Sequence, residues 1–280
     1  MEKQRDKRND TSRKERTYLR TIRRYLFLVF VLVIVASEVS GQSVMTATLM
    51  EKDQKTPEVS TEELIQIMAN NSARVFDTRP FKEYAVSHIP GAVNVAAKPG
   101  VPISLYVSDI TEMGRLLKGE KSSAIVLYCN GPFCGKSKRL AEELIGAGYT
   151  NVRCYQLGIP VWRALGGLTI VEPEGVRYVI GNDRTAVLID ARDPEEFRKG
   201  SVTNAKNLAA SLLVPGKDVG EVKKAKDDGR LPMEDHNTRI IVFGKDVSQA
   251  EKVAQALARE AFHNVSYFSG TLEEFQRAVQ

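Results

Sequence analysis

"VLYCNGPFCGKSKRLAEEL" runs from Val126 to Leu144. An apolar run halts at Cys129, and two glycines, a proline and a second cysteine, Cys134, come before a helical pattern that begins near Ser137. The order is strand, loop, helix, with a thiol where the strand stops. A thiolate at a helix N-terminus meets unpaired backbone N–H groups and the positive end of the helix dipole. Both favour an anion there and lower a cysteine pKa. The other reading makes Cys129 a small buried hydrophobe closing a strand, with Cys134 incidental. The rest of the chain decides between them.

The strand–loop–helix unit belongs to a duplication. "ARVFDTRPFKEYAVSHIPGAVNVA" and "AVLIDARDPEEFRKGSVTNAKNLA" align at a constant offset, pairing Asp77 with Asp190, Arg79 with Arg192, Glu83 with Glu196 and Ala92 with Ala205. "AIVLYCNGPFCGKSKRLAEELIGAGYTNVRCYQLG" parallels "RIIVFGKDVSQAEKVAQALAREAFHNVSYFSG". The repeat is as long as a domain, and each copy alternates strands with helices, which predicts a parallel sheet covered on both faces. In such sheets sites lie beyond the carboxyl ends of the strands. Cys129 follows "AIVLY" directly, so it falls on that edge. The aligned position in the second copy is Gly244, which cannot be a nucleophile.

The chain has 280 residues, 42% of them hydrophobic and 27% charged, enough for globular cores. Its net charge of +5 belongs to one end. Residues 1–24 carry ten Lys or Arg against four acids, a balance of +6, which leaves the remainder at −1. The body therefore offers no charge argument for nucleic acid. The basic arm runs into the uncharged "YLFLVFVLVIVAS", Tyr25 to Ser37. That run is short for a spanning helix and fits a signal-peptide apolar region, or an uncleaved anchor if extended through "VSGQSVMTATLM". Either way the arm stays cytoplasmic and the rest is exported. The expectation is a cell-envelope protein, membrane-anchored by about residues 25–43, or periplasmic or extracellular if that segment is cleaved.

The motifs "DTRPFKEYAVSHIPGAVNV" and "YCNGPFCGKS", with "DARDPEEF" lacking a thiol in the second copy, resemble a tandem rhodanese of the sulfurtransferase family over nearly all of residues 60–280. The resemblance implies an α/β chain of two tandem rhodanese-like domains, each a parallel sheet flanked by helices, after an N-terminal signal or anchor helix. The expected divisions are 1–44 for the arm and apolar segment, 45–59 for a linker, 60–172 for the domain with Cys129, and 173–280 for a cysteine-less domain, the boundary falling near Val171 to Gly175. It implies that Cys129 takes a sulfane sulfur from a donor such as thiosulfate, becomes a persulfide, and passes the sulfur to a thiophilic acceptor. No cofactor or metal is expected. The expected partners are a small sulfur donor, a thiol or cyanide-like acceptor, and the membrane through the N-terminal segment.

Sulfur transfer needs a thiolate, and the persulfide is itself anionic. Backbone N–H groups of Asn130, Gly131, Cys134 and Gly135 are expected to curl around it as an anion nest. With Phe133 and Lys136 they form the expected substrate-binding positions, although Lys136 also reads as an ordinary solvated lysine. Ser137 fits a helix N-cap. Asp77, Arg79 and Glu83 are retained in the thiol-less copy, so an Asp–Arg or Arg–Glu83 ion pair supporting the strand end is preferred to catalysis. His88, in the Pro-Gly turn, is read as structural, and Cys154 as core. Here the loop reaches its Ser later than usual for the family, and the active cysteine stands in the first copy rather than the second. A related phosphatase needs Cys-x5-Arg, and the chain has Gly135 at the arginine position. Two other functions stay open: a thiol redox protein using Cys129 and Cys134, and a non-catalytic binding module.

Overall fold

The computed structural model describes residues 43–52, 54–96 and 109–280. The basic arm and nearly all of the apolar segment lie outside them. Among the described residues no helix is long and apolar enough to cross a membrane.

The chain folds as two α/β halves. In the first, helix α1 (Thr61–Asn70) precedes β1 (Arg74–Asp77), α2 (Phe81–Val86), β2 (Val93–Asn94), α3 (Asp109–Leu116), β3 (Ile125–Tyr128), α4 (Lys136–Gly146), β4 (Val152–Tyr155) and α5 (Gly158–Ala164). The sheet order is β2-β1-β3-β4, all parallel. In the second half β5 (Thr169–Val171), α6 (Pro173–Asn182), β6 (Val187–Asp190), α7 (Pro194–Lys199), β7 (Lys206–Asn207), α8 (Gly220–Asp227), β8 (Ile240–Phe243), α9 (Val247–Arg259), β9 (Val265–Phe268) and α10 (Leu272–Val279) follow. That sheet is also parallel, ordered β5-β9-β8-β6-β7.

Side-chain alternation along buried strands explains the layers. In β3, Ile125 and Leu127 pack with Leu140, Leu144 and Val152 on one face. Val126 and Tyr128 pack with Leu64, Ile67 and Trp162 on the other. In β8, Ile240 and Val242 face Val253 and Leu257, while Ile241 and Phe243 face Phe268 and Phe275. Helix α1 starts on a capping box of Ser60 and Glu63, satisfying two otherwise orphaned N–H groups.

Two expected boundaries are corrected. The segment read as a linker over 45–59 is part of the first half. Its end adds an edge to the sheet: Glu58 bridges Cys154 in parallel, with Val59 N–H donating to Cys154 O at 2.9 Å. The sequence there, Pro57-Glu58-Val59, is too short to show strand periodicity. The second sheet begins at Thr169, ahead of the boundary expected at 172/173, because β5 pairs with β9. The two edges correspond, since each half opens with a short strand laid beside its own last strand.

β5 also joins the halves. Ile170 forms an antiparallel bridge with His88, with N–H to carbonyl distances of 3.0 and 2.8 Å. Glu172 N–H donates to Ala85 O at 2.8 Å. A methyl group on Gly175 would meet that same carbonyl oxygen at 2.0 Å, so only glycine lets α6 close on α2.

Candidate active site

Parallel β1 and β3 end side by side and deliver Asp77 and Cys129 to one sheet edge. Cys129 is 2% exposed. Its carbonyl accepts from Ile159 N–H at 3.3 Å, at the start of α5. The loop to α4 is Cys129–Gly135. Gly131 holds φ +106°, a conformation that disfavours side chains, and lies against Leu157 O. From there the chain turns back, Cys134 N–H donating to Gly131 O at 3.0 Å. The turn brings Cys134 within 6.2 Å of Cys129, Cα to Cα, and the two sulfurs are joined in a disulfide. Phe133 at the tip is wholly exposed, and Gly135 and Lys136 are exposed as well.

Two expectations change at this loop, and one choice between two ion pairs is made. Ser137 is not the N-cap of α4. Gly135 is, with no side chain to cap with, and Ser137 is buried one residue inside the helix. The Cys134 N–H belongs to the turn at Gly131, so it is not a free donor for an anion nest. Glu83 does not pair with Arg79. Its carboxylate accepts from Asn130 Nδ2, so α2 tethers the loop.

Of the two ion pairs expected, Arg79 makes the one with Asp77. Its Nε and Nη2 grip both Asp77 oxygens, and Nη2 also reaches Ser87 O at 2.6 Å. Asp77 is fully buried and Arg79 nearly so. Burial opposes the Arg79 charge, but the Asp77 carboxylate outweighs it and holds the guanidinium above its ordinary pKa. The second half repeats the arrangement: Arg192 grips Asp190 and donates to Gly200 O at 2.8 Å. The same ion pair thus stands at the strand end in both copies, with and without the thiol. His88 is buried, donates its backbone N–H to Ile170 O across the seam, and stacks on Tyr84 at 3.9 Å between centroids. Burial pushes its pKa down to about 4, so it is neutral near pH 7 and its 3.6 Å contact with Glu172 is no ion pair there. Cys154 is core: burial pushes its thiol up to about 11, and its sulfur lies 3.6 Å from Thr56 Oγ1.

Asn94 escaped sequence reading. Its Nδ2 donates to Asp77 O and Arg79 O, as Asn207 Nδ2 does to Asp190 O and Arg192 O. The repeat offset holds the signal, since Asn94 and Asn207 align within it.

The equivalent loop of the second half is only Gly244–Asp246. Asp246 caps α9, its carboxylate accepting from Gln249 N–H at 3.0 Å. A carboxylate thus occupies the helix N-terminus in the thiol-less copy, where α4 presents only Gly135. Among the described residues no cluster of acids, histidines and cysteines could hold a metal.

A family model for the rhodanese-like domain matches residues 60–165 and again 178–278. The chain belongs to the rhodanese-like domain family. The adenylyltransferase and sulfurtransferase UBA4 of Candida albicans is 29% identical over 105 residues, 37% of this chain and 23% of that protein. An HTH-type transcriptional regulator of Mycobacterium tuberculosis is 30% identical over 114 residues, 41% of this chain and 44% of that one. The chain therefore spans less than half the length of either relative. The crystal structure of the 3-mercaptopyruvate sulfotransferase SseA from Escherichia coli is 21% identical, covers 77% of this chain and 98% of its own, and superposes with a TM-score of 0.33, too low to bear on function. The family contains sulfurtransferases, and it also lends domains to proteins with other names.

Proposed function

We propose that the protein is a sulfurtransferase in which Cys129 carries the sulfur. The Cys129 thiolate attacks the sulfane sulfur of a donor such as thiosulfate, sulfite leaves, and the resulting persulfide passes its outer sulfur to a thiophilic acceptor. The observation that carries the reading is the contrast between the two copies. Where the first has a thiol, a seven-residue loop and a helix N-terminus capped by glycine, the second has Gly244, three loop residues and a carboxylate cap. An anion fits the first and is repelled by the second. Lys136, exposed at the start of α4, adds positive charge beside it. The N-terminal apolar segment is proposed to export the protein or anchor it in the membrane.

The test is thiocyanate formation from thiosulfate and cyanide by the reduced protein. Cys129→Ser abolishes it and Cys154→Ser retains most of it. Wild-type turnover by Cys129→Ser would remove the assignment.

A further inference from the structure

We infer that Cys134 is a resolving thiol, and that in the absence of an external acceptor the protein expels the transferred sulfur as sulfide. The inference rests on the reading of Cys129 as the sulfur carrier.

The loop is built to bring Cys134 onto Cys129. Their Cα atoms are 6.2 Å apart, inside the range a disulfide needs, and the sulfurs are bonded. The turn that returns Cys134 is closed by its own N–H on Gly131 O and depends on the positive φ of Gly131. A persulfide on Cys129 therefore forms within reach of a second thiol carried by the same loop. The third cysteine cannot compete, because Cys154 is buried, its thiol is held protonated, and its sulfur is engaged by Thr56 Oγ1 and Ser137 O.

The step balances without an added reactant. The Cys134 thiol gives up its proton, its sulfur attacks the inner sulfur of the Cys129 persulfide, and the bond between the two sulfurs of the persulfide breaks. Hydrosulfide leaves and the Cys129–Cys134 disulfide remains. The sulfane sulfur is reduced by two electrons as the two cysteines are oxidised by two. The product is the disulfide present in the structure. Resetting it takes a dithiol reductant, and burial decides its direction. Cys129 is 2% exposed whereas Cys134 is only half-buried, so an incoming thiolate attacks the Cys134 sulfur. Cys129 then departs as the thiolate, ready for the next donor.

The experiment is a single turnover. Fully reduced protein, freed of reductant, is given thiosulfate, and sulfide and intact mass are measured together. The wild type is expected to release one sulfide per chain and to end about 2 Da lighter than it began, as a disulfide. Cys134→Ala is expected to release none and to hold an adduct about 32 Da heavier, a persulfide. Cys134→Ser gives the same result should the alanine variant fold poorly. A wild type that keeps the heavier adduct without sulfide overturns the inference and leaves Cys129 as carrier. A Cys134 variant that releases sulfide as the wild type does also overturns it. If neither Cys134 variant nor the wild type takes up sulfur, the carrier reading itself fails and the inference falls with it.

Discussion

Gly158 lies against the backbone of Cys129. A methyl group placed on it would meet the Cys129 carbonyl oxygen and the Gly131 nitrogen, each at 2.4 Å, and its φ is +63°. Gly158→Ala is expected to cost about 1–2 kcal/mol in backbone strain alone. It must also push the loop aside, and a misplacement of about 1 Å can cost roughly 100-fold in rate. Thiocyanate assays and thermal unfolding of the variant check both, and wild-type turnover would show that the loop position does not matter.

Breaking the buried Asp77–Arg79 pair leaves a desolvated charge alone. Asp77→Asn should destabilise the protein by about 3–5 kcal/mol, and Asp190→Asn should do the same in the second half. Replacing both partners, Asp77→Ala with Arg79→Met, should recover part of the loss. Denaturant titration measures this. If Asp77→Asn lowered turnover and left stability unchanged, the pair would be part of the chemistry and not a support.

His88 makes the fold acid-sensitive. Its folded pKa is about 4 against an ordinary 6.5, because burial disfavours the charged ring, with Arg79 adding to the shift and Asp77 opposing it. Between those values the unfolded chain binds more protons, so stability is complete above pH 6.5 and falls as the pH drops towards 4. Glu172 faces the same ring, and burial raises its pKa, so it titrates in the opposite sense. The comparison is therefore made in a Glu172→Gln background, with and without His88→Gln. From pH 7 to 5 the His88 protein should lose roughly 5 °C more of its melting temperature. Parallel pH profiles would count against it.

The position of β5 decides where the halves can be cut. A fragment beginning at residue 168 keeps β5 beside β9, while one beginning at 173 strips that edge from the second sheet. The longer fragment should melt cooperatively at a higher temperature. Equal melting would mean that β5 contributes little to its own sheet.

The parallel sheets could be read from sequence because buried strands such as "AIVLY" and "IIVF" are continuous apolar runs, and because the Asp-x-Arg signature recurs from the last residue of β1 and of β6. The place of Cys129 just past a strand was legible for the same reason: a strand end is marked by the change in composition. Ser137 misled because serine beside a helix start ordinarily caps it, and here the helix begins one residue earlier and buries that serine. Arg79 was left with two candidate carboxylates, Asp77 and Glu83, because sequence shows charges but not their geometry. In the fold Arg79 takes Asp77 and the Ser87 carbonyl, and Glu83 takes Asn130. The edge segment Pro57–Val59 makes one bridge, too little for any period to register.

The seam at Ile170 has a consequence for how damage spreads. The His88 segment covers the free side of β5, and Glu172 fastens to Ala85 on α2, the helix whose Glu83 tethers Asn130. Neither half can drift without opening backbone bonds in the other. In a screen for loss of activity, lesions in the thiol-less half will score beside lesions in the loop. A half without a thiol at its strand end will then look as indispensable as the half that carries Cys129.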